Sequence, residues 1–176
     1  MFLQRWLRPG PARSAGARLY AATVAQAREP ALYAELGAPD TPDGRFEVYT
    51  LHVLLVLARL QGEGPRAAQV SQALFDAYLS GLDHGLRELA VGDLAVGKTM
   101  RKLGEAFYGR GKALGDALAA PDRGELEGLL SRTVLGGDSG ADAGPLAGYV
   151  RRVQQALAQA PTERLLEGEI SWPAPV

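Results

Sequence analysis

The chain has 176 residues, of which 47% are apolar, 22% charged and 7% aromatic, with no cysteine and two histidines. That length suits one domain with its own core. The missing cysteines exclude disulfides, thiolate metal sites and a Cys nucleophile, and His52 and His84 leave too few ligands for a His-rich metal site and little room for a histidine triad. A net charge of −1 gives no basic footprint over the whole chain, so DNA is not an expected partner.

Charge is uneven along the chain. Arg5, Arg8, Arg13, Arg18 and Arg28 precede the first acid, Glu29. Residues 1–16 read as a basic, flexible N-terminal segment. Within it Phe2, Leu3, Trp6 and Leu7 alternate with Gln4, Arg5 and Arg8 at helical spacing until Pro9-Gly10-Pro11. Arg5, Trp6 and Arg8 are therefore candidates to face a membrane or a ribosome, although so short a helix binds a bilayer weakly by itself.

Abundant Ala and Leu with few β-branched residues predict an all-α chain. A helix is expected over 17–36, closing at Gly37, and 38–44 is turn chemistry. The next helix, about 45–60, contains Leu51-His52-Val53-Leu54-Leu55-Val56-Leu57-Ala58, apolar on nearly every side. It is too short to span a membrane and reads as the central helix of a bundle. Pro65 opens a helix over 66–80 that Gly81 is expected to break. A helix from Asp93 to Leu118 buries Leu94, Met100, Leu103, Phe107, Leu114 and Leu118, with a break expected near Gly109–Gly111. Asp122 caps a helix to about Val134, Pro145 opens one to Ala160, and Thr162 is expected to cap a last short one. The sum is a compact bundle of about six to eight helices: one helical domain over 17–168 and a tail over 169–176 that Trp172 can anchor.

Few groups offer chemistry. Gly92-Asp93-Leu94-Ala95-Val96-Gly97-Lys98-Thr99 spells the phosphate-loop pattern, but the buried strand such a loop follows is missing, and Gly92 and Asp93 serve equally as helix punctuation. A nucleotide site there stays an alternative. The carboxylate pairs Asp76 with Asp83, and Asp83 with Glu88, have no fixed separation. His52, among leucines and valines, is either a haem or metal ligand, a partner contact, or a core histidine bonded to a carboxylate or carbonyl of a neighbouring helix. His84 is expected to be exposed. Lys98, Arg101, Lys102, Arg110 and Lys112 can form a basic ridge for RNA phosphates, lipid headgroups or an acidic protein.

Four stretches carry a resemblance: Tyr49-Thr50-Leu51-His52-Val53-Leu54-Leu55, Ser71-Gln72-Ala73-Leu74-Phe75-Asp76, Asp83-His84-Gly85-Leu86-Arg87 leading to Gly92-Asp93, and Val96-Gly97-Lys98 running to Phe107-Tyr108-Gly109-Arg110. In that order, from about Tyr20 to Leu135, the chain resembles the ubiquinol–cytochrome c chaperone family, which includes bacterial proteins and a mitochondrial assembly factor. It departs from the family pattern at Leu130–Val134, where Arg132 alone persists. The resemblance places the phosphate-loop string in a helix-turn motif. It implies a non-enzymatic chaperone, without cofactor or metal, that binds newly made cytochrome b during assembly of the cytochrome bc1 complex. The implied partners are that client, the ribosome, a second assembly factor and the cytoplasmic face of the inner membrane. The carried-over partner-binding candidates are His52, Phe75, Asp76, Asp83, Arg87, Lys98, Lys102, Phe107, Tyr108 and Arg110. A membrane-surface or ribosome-binding adaptor without a respiratory role is the competing reading.

Overall fold

A computed structural model describes residues 10–88, 93–137 and 141–176, with backbone alone at 86, 88, 93–100, 102 and 103. Among these residues the chain is all-helical, without strands: α1 (Pro11–Ala27), α2 (Ala31–Ala34), α3 (Pro42–Leu60), α4 (Pro65–Glu88), α5 (Asp93–Ala119), α6 (Arg123–Thr133), α7 (Gly144–Gln159) and α8 (Thr162–Leu166).

Helix α3 is the axis of the bundle, touching α1, α4, α5 and α7. Val48, Leu51, Val53, Leu54, Leu55, Val56 and Leu60 are all buried, which is why its apolar run has no polar face. Each such side chain contributes about 1.5–3 kcal/mol relative to exposure. Thr41 starts the helix, its hydroxyl accepting the Gly44 N–H, and Pro42 fills the first turn where no amide partner is needed.

Several expected boundaries move. The helix expected over 17–36 begins at Pro11 and is split by Pro30, which lacks the N–H a continuous helix would need, so α1 ends at Ala27. Gly37, at φ +79°, then turns the chain while the Ala38 N–H bonds the Leu32 carbonyl. Gly81 does not break α4: a Cβ there would stand 2.1 Å from the Tyr20 hydroxyl, so the glycine makes room for α1 to pack. Nor does α5 break at Gly109–Gly111, because burial of Phe107 and Leu114 outweighs weak propensity. Thr162 is not a cap. Its hydroxyl accepts from Arg59 and donates to Glu63, and Arg59 also donates to the carbonyls of Leu157 and Ala160. One arginine thus ties the ends of α3, α7 and α8 together. The C-terminal residues pack as well: Arg152 donates to the Pro175 carbonyl, and Trp172 lies against the core.

Candidate functional site

A groove of about 940 Å³ opens where the end of α3, the start of α4 and the second half of α5 meet. Leu54, Leu57 and Leu60 form its α3 wall and Phe75 its α4 wall; Phe107, Tyr108, Gly111 and Gly115 form the α5 wall. The turn between α3 and α4 closes one end through Gly62 and Gly64, both at positive φ, where a side chain would be strained.

Aromatic stacking fixes one edge. Phe75 lies 5.1 Å from Phe107 and 6.1 Å from Tyr108, ring centre to ring centre, and Tyr78 lies 5.0 Å from Phe107. Tyr78 is buried, exchanges a 3.0 Å hydrogen bond with Thr50, and has its phenol pushed up to about 12 by burial. Phe107 is buried too, but Tyr108 is 72% exposed. Its ring is therefore packed against Phe75 and Phe107 and otherwise open to solvent.

The groove carries almost no charge. Its charged residues, Lys112 and Asp116, pair with each other at 2.6 Å, and its other polar side chains are Gln61, Ser71 and Gln72. No group of three or more His, Asp or Glu side chains fit to hold a metal occurs among the described residues.

The sequence-derived candidates divide. Phe75, Phe107 and Tyr108 come together on the groove, and Asp76 stands exposed beside them, accepting from Gln72 at 2.7 Å. Asp83 and Arg87 pair with each other one turn apart on α4. Arg110 is engaged by a neighbouring helix. It crosses to α3, meets Glu47 at 2.5 Å, and lies over the Phe46 ring at 5.6 Å. Glu47, half-buried, has its carboxyl raised by burial, which the adjacent guanidinium opposes. The side chains of Lys98 and Lys102, and all of Arg5, Trp6 and Arg8, lie outside the described residues. Residues 93–99 are helical, so Gly97, Lys98 and Thr99 spend their amides within α5 and do not form a phosphate-cradling loop.

His52 is corrected as a partner contact. It is fully buried, and its imidazole is held by the Val48 carbonyl at 2.7 Å and the Tyr149 hydroxyl at 2.7 Å. The carbonyl belongs to its own helix, one turn back, and the second partner is a phenol, not a carboxylate. Burial lowers its pKa to about 4, so the ring is neutral. His84 is exposed, as expected. The sequence expectation of a break near Gly109–Gly111 missed the groove that Gly111 and Gly115 line; their spacing with Tyr108, on one face of α5, was the available signal.

No described helix is long and apolar enough to cross a membrane.

Known proteins match this architecture. The family profile described as Ubiquinol-cytochrome C chaperone matches residues 34–172, a span holding α3 to α8 and the whole groove. The chain is 25% identical over 161 residues to the Ubiquinol-cytochrome-c reductase complex assembly factor 1 of Xenopus laevis, covering 90% of this chain and 80% of that one. It is also similar to a solved structure, the crystal structure of the Cbp3 homolog from Brucella abortus. That match has a TM-score of 0.87 and 37% identity, and it covers 99% of this chain and 98% of the other.

Proposed function

The chain belongs to the ubiquinol–cytochrome c chaperone family, and from that premise we propose that it is a non-enzymatic assembly factor of the ubiquinol–cytochrome c reductase (bc1) complex that holds newly made cytochrome b in the groove between α3, α4 and α5. The observation that carries the groove assignment is Tyr108, 72% exposed over an apolar floor that a monomer in water gains nothing by leaving open. Holding a client needs apolar area and shape rather than a titrating constellation, and that is what the groove offers.

Phe75, Phe107 and Tyr108 make the contact in this reading, and Asp76 borders it. Asp83, Arg87 and Arg110 lie outside its lining, and Lys98 and Lys102 stay candidates for contact with a charged partner. Approach to a ribosome, a second assembly factor or the cytoplasmic face of the inner membrane falls to the basic N-terminal residues Arg5, Trp6 and Arg8.

The test is deletion of the gene in its source organism, with assembled bc1 complex and haem b measured, together with photo-crosslinking from position 108 and from the exposed Glu35 as control. Loss of the complex and a cytochrome b adduct from position 108 alone are expected. Normal complex levels would overturn the assembly role. Equal adducts from both positions would overturn the groove.

A further inference from the structure

We propose that the groove takes one uncharged, apolar α-helix of its client, about two turns of it, with a small residue seated against Gly115. This rests on the client-holding reading of the same groove and specifies the conformation and chemistry it recognises.

The volume sets the scale. A helix about 10 Å across, rising about 1.5 Å per residue, fills roughly 120 Å³ per residue. The groove's 940 Å³ is of the order of two turns of such a helix, and because it is open to solvent it seats one face of a short helix.

Backbone accounting selects the helix over an extended segment. The walls are α3, α4 and α5, whose amides and carbonyls are largely spent inside each helix, and no strand edge exists among the described residues. An extended peptide would bury N–H and C=O groups with no ladder to join, at several kcal/mol for each unpaired group by transfer from water. A helix arrives with those groups already paired.

Charge and side-chain size narrow it further. The groove's charged residues, Lys112 and Asp116, are one of each sign on an exposed turn, so the apolar lining offers a charged occupant no net complementary charge. Gly104, Tyr108, Gly111 and Gly115 share one stripe of α5 at 3–4 spacing. A Cβ on Gly115 would meet nothing within 4 Å, whereas one on Gly111 would meet Leu54 at 3.2 Å. Leu54 therefore fills the space over Gly111, while Gly115 leaves bare α5 backbone facing the groove. That is the surface against which apolar helices pack closely through small residues.

The probe is a fluorescently labelled synthetic peptide of about four helical turns, built of Leu and Ala with Gly-x-x-x-Ala on one face and lysines at its ends. A second peptide of the same composition carries a central proline. Anisotropy with the full-length protein is expected to show saturable binding of the helical peptide, weakened about tenfold or more by the proline. Gly115→Leu, which fills the groove from a position with open space and better helix propensity, should weaken the helical peptide similarly while helix content by circular dichroism is unchanged. Tyr108→Ala is a second variant with the same expected direction. Equal binding of both peptides, no saturable binding of the helical one, or indifference to both substitutions overturns the inference. Cytochrome b adducts from position 108 alongside a proline-tolerant groove would fail the helix and leave the client standing; peptide discrimination without such adducts would do the reverse.

Discussion

The Nε2 of His52 lies 2.7 Å from the hydroxyl of Tyr149, 97 residues further along the chain, and the proton in that bond belongs to the tyrosine. The assignment follows from the neighbours. The Val48 carbonyl can only accept, so His52 Nδ1 carries the ring proton and Nε2 is a bare acceptor. Tyr149 donates to Nε2, and its oxygen accepts from Gln26 Nε2 at 2.9 Å. Three helices, α1, α3 and α7, are therefore joined by one directional relay whose members are all buried. Removing the hydroxyl in Tyr149→Phe leaves His52 Nε2 without its donor and Gln26 with only its longer bond to the Pro173 carbonyl. The expected cost is about 1–3 kcal/mol by chemical denaturation, where an indifferent midpoint would refute the relay. Nitrogen NMR should find the Nδ1–H tautomer in the wild type.

The same histidine sets an acid limit on stability. Its pKa is near 4 folded, against the ordinary 6.5 that it regains unfolded. Above 6.5 both states are neutral and its contribution is complete. As pH falls below 6.5 the unfolded chain gains a proton first, so stability drops, by roughly 3 kcal/mol on reaching pH 4. His52→Gln should flatten that part of the profile, whatever it does to stability at pH 7. A slope between pH 6.5 and 4 that survives the substitution would assign it to other groups.

Two glycines give opposite expectations. A Cβ on Gly16 of α1 would stand 2.6 Å from the Ala73 Cβ and 2.7 Å from the Leu74 amide nitrogen, in backbone that cannot step aside. Gly16→Ala should destabilise by about 2 kcal/mol through overpacking of α1 on α4. Gly115→Ala, with open space before it in an exposed helix, should stabilise by about 0.5–1 kcal/mol. Thermal melts decide, and melting shifts of the same sign would contradict the packing.

What could be read beforehand followed from local pattern. The apolar run of α3 announces a helix surrounded on all sides, and the 3–4 spacing of Val70, Leu74 and Tyr78 announces the buried face of α4, because burial imposes those periods directly. Gly81 and Gly111 mislead for a physical reason: each loses helix propensity, yet each sits where a neighbour, the Tyr20 hydroxyl or Leu54, needs the space. Partners far apart in sequence leave no such period. Nothing near His52 points to Tyr149, and nothing near Arg110 points to Glu47, so the choice between ligand, contact and core histidine stays open for His52, and Arg110 reads as part of a ridge, until tertiary structure supplies their partners.

The Glu47–Arg110 bridge joins α3 to α5 beside the groove, with side chains only 17% and 28% exposed. Arg110→Leu leaves the carboxylate half-buried without its cation. A loss of about 2 kcal/mol is expected, between the values for exposed and buried pairs. The carboxyl of Glu47, already raised by burial, should rise further. The double variant Glu47→Leu with Arg110→Leu should recover most of that loss, and a double-mutant cycle gives the coupling. Additive losses would show that the pair contributes nothing as a pair.

The C-terminal residues close the interior around His52. Trp172 meets the imidazole edge-on at 5.3 Å, the Pro173 carbonyl accepts from Gln26 at 3.4 Å, and the Pro175 carbonyl accepts from Arg152 at 2.6 Å. Desolvation is the largest cause of the lowered His52 pKa, so whatever admits water should raise it. Trp172→Ala removes the indole covering the ring, and His52 should titrate closer to 6.5 in proton NMR of the folded variant. Because the folded and unfolded values then lie nearer each other, less stability is lost between pH 6.5 and 4 than in the wild type, even though the variant is less stable at pH 7. A variant that keeps a pKa near 4 would mean that the surrounding helices, rather than the tail, keep the histidine dry.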